Sequence, residues 1–368
     1  MTSTNKIKDV TSFLESIAPR AYQESYDNAG LITGDPAWIV EKVLVTLDCT
    51  EDVVQEAITS GCNLIIAHHP IVFKGLKKLT GSHYVERVVI QAIKHDIAIY
   101  AIHTNLDNVH AGVNRKICER IGLENLKILA PKSNTLSKLV TFIPEESAET
   151  VLAALYSAGA GQIGHYKNCS FTMAGTGSFT PDALATPHVG SAFKEERVAE
   201  MRAEVIFPSH LQEQILTALR SVHPYEEVAY YVTALANDNQ EVGAGMVGDL
   251  KVPVEPLAFL QGLKGSMNVQ VIRHTRLLQN KIKKVAVCGG SGSFLLSRAI
   301  QAGAQAFVSA DFKYHEFFDA DGQILIADIG HYESEAFTKD LLVDVLMKKF
   351  PTFAIIFSRI VTNPISYI

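Results

Sequence analysis

Nowhere in these 368 residues do two cysteines form a Cys-x-x-Cys pair; the five that occur, Cys49, Cys62, Cys118, Cys169 and Cys288, are scattered and odd in number. That usage excludes a disulfide scaffold and reads as reduced, mostly buried thiols of a cytosolic protein. No segment approaches the roughly 20 apolar residues of a membrane-spanning helix. The opening residues, Met-Thr-Ser-Thr-Asn-Lys-Ile-Lys-Asp-Val, lack the apolar core of a secretory leader, so a soluble, cytoplasmic chain is expected. Lysine and arginine form no run, and 33 of them against 39 acidic residues leave a net charge of −6. That balance argues against a broad nucleic-acid or membrane-binding surface. Low-complexity segments and short-period repeats are absent as well. What is abundant is apolar surface: a hydrophobic content of 47% over this length builds a large core, and the length points to two domains.

The stretch Asn63-Leu-Ile-Ile-Ala-His-His-Pro70 is the organising element. Four small or branched apolar residues, 64–67, are too few for a helix and read as a strand buried on both faces, as in a parallel sheet. Pro70 cannot extend a ladder, which leaves His68 and His69 at the C-terminal end of that strand, where open α/β folds hold their ligands. A single histidine there reads as a core or capping residue. An adjacent pair is different, because successive strand residues point to opposite faces and both need polar partners from elsewhere.

Apolar residues at 7, 10, 13, 14 and 17 predict an amphipathic helix over 7–17, with Pro19 just past its end. Around the His-His strand stand a strand over 43–47, a helix over 51–60 capped from Asp48-Cys49-Thr50-Glu51 and ended by Gly61, a helix over 84–95 and a strand over 97–102. The far end repeats the pattern: strands over 284–288, 306–309 and 324–329, a helix over 294–302, and a last helix running on from His331 through Leu346. Such alternation predicts a mostly parallel sheet with helices on both faces. The middle has the order β-α-β-β-α-β, with strands over 139–143, 170–174, 202–207 and 228–233 and helices over 148–158 and 211–222. This is the split unit of ferredoxin-like domains. Pro131 and the Asn-, Asp- and Gly-rich residues 236–245 read as linkers. The expected fold is a discontinuous α/β domain, 1–132 with 243–368, into which an α+β domain, 133–242, is inserted.

His68, His69, Asp107, His331 and Glu335 all fall at C-terminal ends of predicted strands, hence along one sheet edge, and each is a good ligand for a borderline divalent metal. His331 and Glu335, four apart on a helix, share a face, as a salt bridge or cap also requires. Three imidazoles and two carboxylates exceed the need of one tetrahedral ion. With a bridging carboxylate they suit two ions roughly 3.5–4 Å apart, a spacing that activates water for hydrolysis. His103 and His315 stand at similar strand ends and read either as supporting or general acid/base residues or as ordinary surface or core histidines. The loop Gly289-Gly290-Ser291-Gly292-Ser293 reads as a tight turn or as backbone N–H groups for a phosphate, without the Lys-Ser/Thr of a P-loop or a Gly-x-Gly-x-x-Gly. His223 and Tyr225 read as a helix-ending turn or as part of a ligand cleft.

Four ordered motifs, His68-His-Pro-Ile-Val-Phe73, Thr104-Asn-Leu-Asp107 with Gly112-Val-Asn114, Cys288-Gly-Gly-Ser-Gly292 and His331-Tyr-Glu-Ser-Glu335, resemble the signatures of the Nif-three-like family. Its members are also called GTP cyclohydrolase 1 type 2 homologues or dinuclear metal centre proteins. The resemblance runs from the first helix to the last strand. It implies a homohexameric ring with two divalent ions per subunit, held by His68, His69, Asp107, His331 and Glu335, with zinc, iron and manganese the leading choices. It also implies that the insert is PII/CutA-like, on Gly161-Gln-Ile-Gly164 with Tyr166 and on His223-Pro-Tyr-Glu-Glu227. Tyr26 departs from the pattern, which usually has Trp before Asp-Asn-x-Gly; an aromatic replaces an aromatic. Two function classes stay open: a metal-dependent hydrolase acting on a nucleotide or related small molecule, and a non-catalytic metal-binding regulatory or scaffold assembly. Nothing in the sequence reads guanine.

Overall fold

The structure, a computed structural model, describes residues 4–368. Spacing of apolar residues accounts for its first helix, Ile7–Ile17, which buries Ile7, Val10 and Leu14. Thr50 caps the helix Glu51–Ser60 by accepting from Val53 N, and Gly61 ends it in the left-handed conformation that a side chain would disfavour. The strand Leu64–Ala67 is buried at all four positions, as is Ala98–Ala101. Both are inner strands of a five-stranded sheet in the order Gly30–Thr33, Ala98–Ala101, Leu64–Ala67, Lys42–Thr46, Ala354–Phe357. The last four run parallel and the first antiparallel.

The second half does not extend that sheet but builds another. Its order is Arg273–His274, Leu325–Asp328, Ala306–Ala310, Ile282–Ser291, Asn239–Val254, Leu123–Lys132. The three strands from Leu325–Asp328 to Ile282–Ser291 are parallel, and the flanking pairs Arg273–His274 with Leu325–Asp328 and Asn239–Val254 with Ile282–Ser291 are antiparallel. One mostly parallel sheet was therefore the wrong expectation. Residues 236–245 look like a linker by composition, yet most of them lie in the long strand Asn239–Val254. Close approach is the reason for its glycines: a Cβ at Gly245 would meet Val287 O at 2.9 Å, and one at Gly248 would meet Glu124 O at 2.9 Å. Two helices unassigned from the sequence, Val113–Ile121 and Pro256–Met267, complete this half.

Alternation along the strands divides the core. Val43, Val45, Leu64 and Ile66 face a cluster shared with Val285, Val287 and Val308 of the second sheet and with Leu14, Ile117 and Leu346 from helices. Leu44, Ile65 and Ala67 face the helices Glu51–Ser60 and Tyr84–Lys94 instead. No helix among the described residues is long and apolar enough to cross a membrane.

The chain divides into two compact units, one reaching Ala130 and resuming over Val242–Ile368, the other Pro131–Glu241. The second has a four-stranded antiparallel sheet in the order Ser170–Phe179, Glu196–Pro208, Leu136–Pro144, Tyr230–Leu235. Counted along the unit this is 2-3-1-4, the order of a split β-α-β pair. Helices Ala148–Ser157 and Gln212–Val222 cover one face through Val151, Leu155, Ile215 and Leu219.

The chain enters and leaves this unit side by side, Asn239 Nδ2 donating to Thr135 Oγ1 at 3.1 Å. Deleting residues 133–241 and closing the gap with a short Gly/Ser bridge is therefore expected to leave a cooperatively folding protein. A thermal melt followed by circular dichroism checks this; loss of the cooperative transition would mean that the two units fold as one.

Candidate metal centre

The strand Leu64–Ala67 hands its backbone pairing on to the histidines: His68 N donates to Thr46 O and His69 N to Leu47 O before Pro70 ends the run. Because these residues have left the regular pleat, both rings turn to one side, with centroids 4.9 Å apart. His68 is fully buried. Its Nδ1 lies 2.8 Å from Ile102 O, and a carbonyl only accepts, so Nδ1 carries the proton and Nε2 presents a lone pair. That Nε2 stands 3.6 Å from Asp107 Oδ1 and 3.9 Å from Glu335 Oε1. Neither His68 Nε2 nor Asp107 Oδ1 has a hydrogen-bond partner among the described residues. Electron-rich atoms buried face to face without a donor are costly, and a cation between them removes the cost.

Glu335 is the hub. It is buried, in the short helix His331–Glu335 that follows the strand Leu325–Asp328. Its Oε2 accepts from His69 Nε2 at 3.0 Å and lies 3.2 Å from His331 Nε2. Each of these imidazoles is held from behind as well, His69 Nδ1 by Asp48 Oδ1 at 2.8 Å and His331 Nδ1 by Asp311 Oδ2 at 2.7 Å. Burial works against a charged imidazole at both, yet hydrogen bonds to Asp48 and Glu335 bring His69 up to about 10, and Glu335 and Asp311 bring His331 up to about 9. Burial likewise opposes the Glu335 charge, and the bonds from His331 and His69 outweigh it and hold the carboxyl well below its usual range. Asp107 shifts the other way, raised by burial and then by the charge of Glu335. His68 stays neutral because burial lowers it. Side-chain nitrogen and oxygen atoms of His68, His69 and Glu335 lie within 4.8 Å of one another, and Asp107 and His331 flank them.

The five residues come from the strand ends of two sheets, not along one edge. The glycine loop makes the meeting possible. Residues 289–291 prolong the strand Ile282–Ser291, and a Cβ at Gly290 (φ +61°) would stand 2.5 Å from Glu335 Oε1 and 3.2 Å from His331 Nε2. Two of its N–H groups are engaged internally: Gly289 N donates to Asn114 Oδ1 and Gly290 N to Ser334 Oγ, both at 2.9 Å. Neither is free for a phosphate. Asn114 Nδ2 also donates to Asp107 O at 3.0 Å, so one side chain ties the Asp107 turn to the glycine strand.

His103 belongs to the site and His315 does not. His103 lines one cavity with His69, Asp107, His331 and Glu335, its ring centroid 5.4 and 5.2 Å from those of His68 and His69. Its Nδ1 donates to Asp27 Oδ1 at 2.8 Å. Burial opposes ionisation of Asp27, but the bonds from His103 and Thr104 prevail and bring it to about 2. His315 is exposed on the 3-10 turn Tyr314–Ala320, with its ring against those of Tyr314 and Phe318. The carboxylates behind the imidazoles, Asp48, Asp311 and Asp27, were the residues that sequence reading missed. Asp48 looks like a helix cap, but Thr50 takes that role. Asp311 is held at φ +58°, a strained conformation for a side-chain-bearing residue. The C-terminal tail also contributes, Thr362 Oγ1 donating to Asp48 Oδ2 at 2.5 Å.

The cavity measures about 680 Å³. Tyr26, Phe73, Tyr84 and Phe294 line it, all substantially exposed. A model of the family Duf34/NIF3 (NGG1p interacting factor 3) matches residues 5–364. A Bacillus subtilis protein named GTP cyclohydrolase 1 type 2 homolog is 37% identical over 367 residues, 98% of each chain. The crystal structure of a Bacillus cereus protein related to NIF3 superposes with a TM-score of 0.88 at 36% identity, covering 100% of both chains. The Staphylococcus aureus protein SA1388 does so with 0.78 at 29% identity, covering 99% of both.

Gly290→Ala is expected to push Glu335 out of the centre while the helices hold the fold. Zinc affinity measured by competition with a chromogenic chelator should fall by about tenfold or more, the range of lost supporting contacts at metal sites. An unchanged affinity would mean that Glu335 is not a ligand.

Proposed function

The chain belongs to the Duf34/NIF3 family, and from that premise we propose that it is a metal-dependent hydrolase with a two-ion centre, acting on a nucleotide or a related small molecule. One observation carries this reading: His68 Nε2 and Asp107 Oδ1 face each other without a hydrogen-bond partner among the described residues, and Asp107, His69, His331 and Glu335 beside them line a cavity large enough for a small molecule. Three imidazoles and two carboxylates fit zinc, iron or manganese. Glu335 would hold metal together with His68 on its Oε1 side and with His69 and His331 on its Oε2 side, and Asp107, 3.6 Å from His68 Nε2, would complete the set. Divalent ions bound there supply Lewis acidity and activate water at neutral pH.

The chain's own residues supply the rest. Asp48 and Asp311 orient His69 and His331 so that each directs Nε2 inward. Asp27 does the same for His103 and leaves its other nitrogen as a base for proton transfer at the cavity wall. Exposed rings of Tyr26, Phe73, Tyr84 and Phe294 offer flat apolar faces to a planar ring such as a nucleobase. We read the insert as a PII/CutA-like regulatory domain from its strand order and motifs, and the assembly as a homohexamer by family resemblance; light scattering measures the latter.

Purified protein reconstituted with zinc or manganese should hold two ions per chain by elemental analysis. Fewer than half an ion, with all five ligands intact, would sink the two-ion centre. Metal-dependent turnover is expected against a panel of nucleoside phosphates, lost in His69→Ala; turnover that survives metal removal would defeat the hydrolase reading.

Protons and metal compete for the same nitrogens. Because His69 and His331 hold their protons up to about 10 and 9, loading at pH 7.5 must displace them, and apparent affinity should rise with pH through that range. Calorimetry in buffers of different ionisation enthalpy reads the number released. A count near zero would contradict the assignment of His69 and His331 as ligands.

A further inference from the structure

The Pro131–Glu241 unit holds a cavity of its own, of about 950 Å³. It lies on the sheet face turned away from the two helices: Phe142, Glu200, Arg202 and Tyr231, which line it, alternate with the core positions Ile143, Ala203 and Val232. Glu200 is only 9% exposed, and its Oε1 accepts from Tyr225 Oη at 2.8 Å. The carboxylate has a prepared seat. A Cβ at Gly177, on the neighbouring strand, would collide with Glu200 Oε2, so a side chain there would make the carboxylate shift.

No ion pair joins Glu200 to a lysine or arginine among the described residues; the one arginine of the lining, Arg202, gives Nε and Nη2 to Glu204 at 3.0 and 2.8 Å. The other charged groups of the lining, Asp182, Glu226 and Glu227, are acidic. Two of these hold a loop: Asp182 Oδ1 accepts from Leu184 N and Ala185 N, and Glu226 accepts from Thr186 N and Oγ1. Aromatic rings complete the walls, with Phe142 edge-on to Tyr231 at 5.9 Å and Phe179 and His188 beside Tyr225 at 6.3 and 6.1 Å.

A buried carboxylate without a partner is costly, and aromatic faces attract positive charge. A metal ion fits poorly, because the one convergent group of His, Cys, Asp and Glu ligands among the described residues is that of His68, His69 and Glu335. We propose that this unit binds a small organic cation, a protonated amine or quaternary ammonium on an apolar body, with its charge on Glu200 and its body among the rings. The His223-Pro-Tyr-Glu-Glu motif then has a purpose. His223 Nε2 donates to Phe142 O at 2.9 Å and its Nδ1 accepts from Tyr225 N at 3.2 Å, fixing the tyrosine that holds Glu200, while Glu226 holds the loop. The inference stands apart from the metal centre and does not depend on it.

The test uses the full chain, with 2-phenylethylammonium as probe and the neutral 2-phenylethanol as control, by calorimetry. One saturable site per chain is expected for the ammonium, weakened about tenfold by Glu200→Gln, the loss of a charge-assisted bond. Tyr231→Ala, at an exposed ring, should weaken it severalfold, whereas His69→Ala should leave it unchanged. The alcohol should be indifferent to Glu200→Gln. The proposal is overturned if 2-phenylethylammonium, tetramethylammonium and spermidine all bind more weakly than about 10 mM. It is equally overturned if binding survives Glu200→Gln unchanged. Should that variant fail to fold, binding unchanged in Tyr231→Ala decides against it.

Discussion

An ionised carboxylate buried in protein needs positive charge around it, and Glu335 is such a group. Around it stand His68, His69 and His331, and behind these a ring of acceptors: Ile102 O, Asp48 and Asp311. Each acceptor fixes the direction of one imidazole, so the inward face is a set of nitrogens aimed at one carboxylate. Without metal, protons on His69 and His331 compensate the charge, whereas the His68–Asp107 side has no such compensation.

Holding that cluster together requires two sheets to meet. His68, His69 and Asp107 come from the five-stranded sheet, and His331 and Glu335 from the six-stranded one. The join depends on small features: glycines at 289 and 290 that leave room for Glu335, and Asn114 bonded to both the Asp107 turn and the Gly289 strand. The final strand, Ala354–Phe357, returns to the first sheet and lets the tail reach Asp48. The centre is thus assembled from segments more than 260 residues apart, and its integrity is coupled to that of the whole unit.

The inserted unit solves a smaller version of the same problem. Its own core, from Leu139 and Val205 to Leu219, allows it to fold around a single sheet. The free face of that sheet carries a buried carboxylate among aromatic rings. In both units a carboxylate is held where water is scarce, and the cation proposed for each would make the arrangement favourable.

Much of this was legible in the sequence, because it depends on local patterns. Apolar patterning placed the helix Ile7–Ile17 and the strand Leu64–Ala67, and a cap and a closing glycine placed the helix Glu51–Ser60, at their observed bounds. Strand ends with polar residues picked out His68, His69, Asp107, His331 and Glu335, and His103 beside them. Other features depend on what comes near in space. Glycines in the strand Asn239–Val254 resemble a linker until the neighbouring backbone is seen at 2.9 Å. Asp48 resembles a helix cap until His69 is found against it, and His315 resembles a site residue until its turn proves to lie outside the cavity. The sequence by itself determined which segments form strands and helices and which side chains stand at their ends, since periodicity and turn chemistry act over a few residues. Tertiary structure alone decided that two sheets rather than one carry the site and which acceptor stands behind each imidazole, because those contacts join residues whose separation along the chain leaves no local trace.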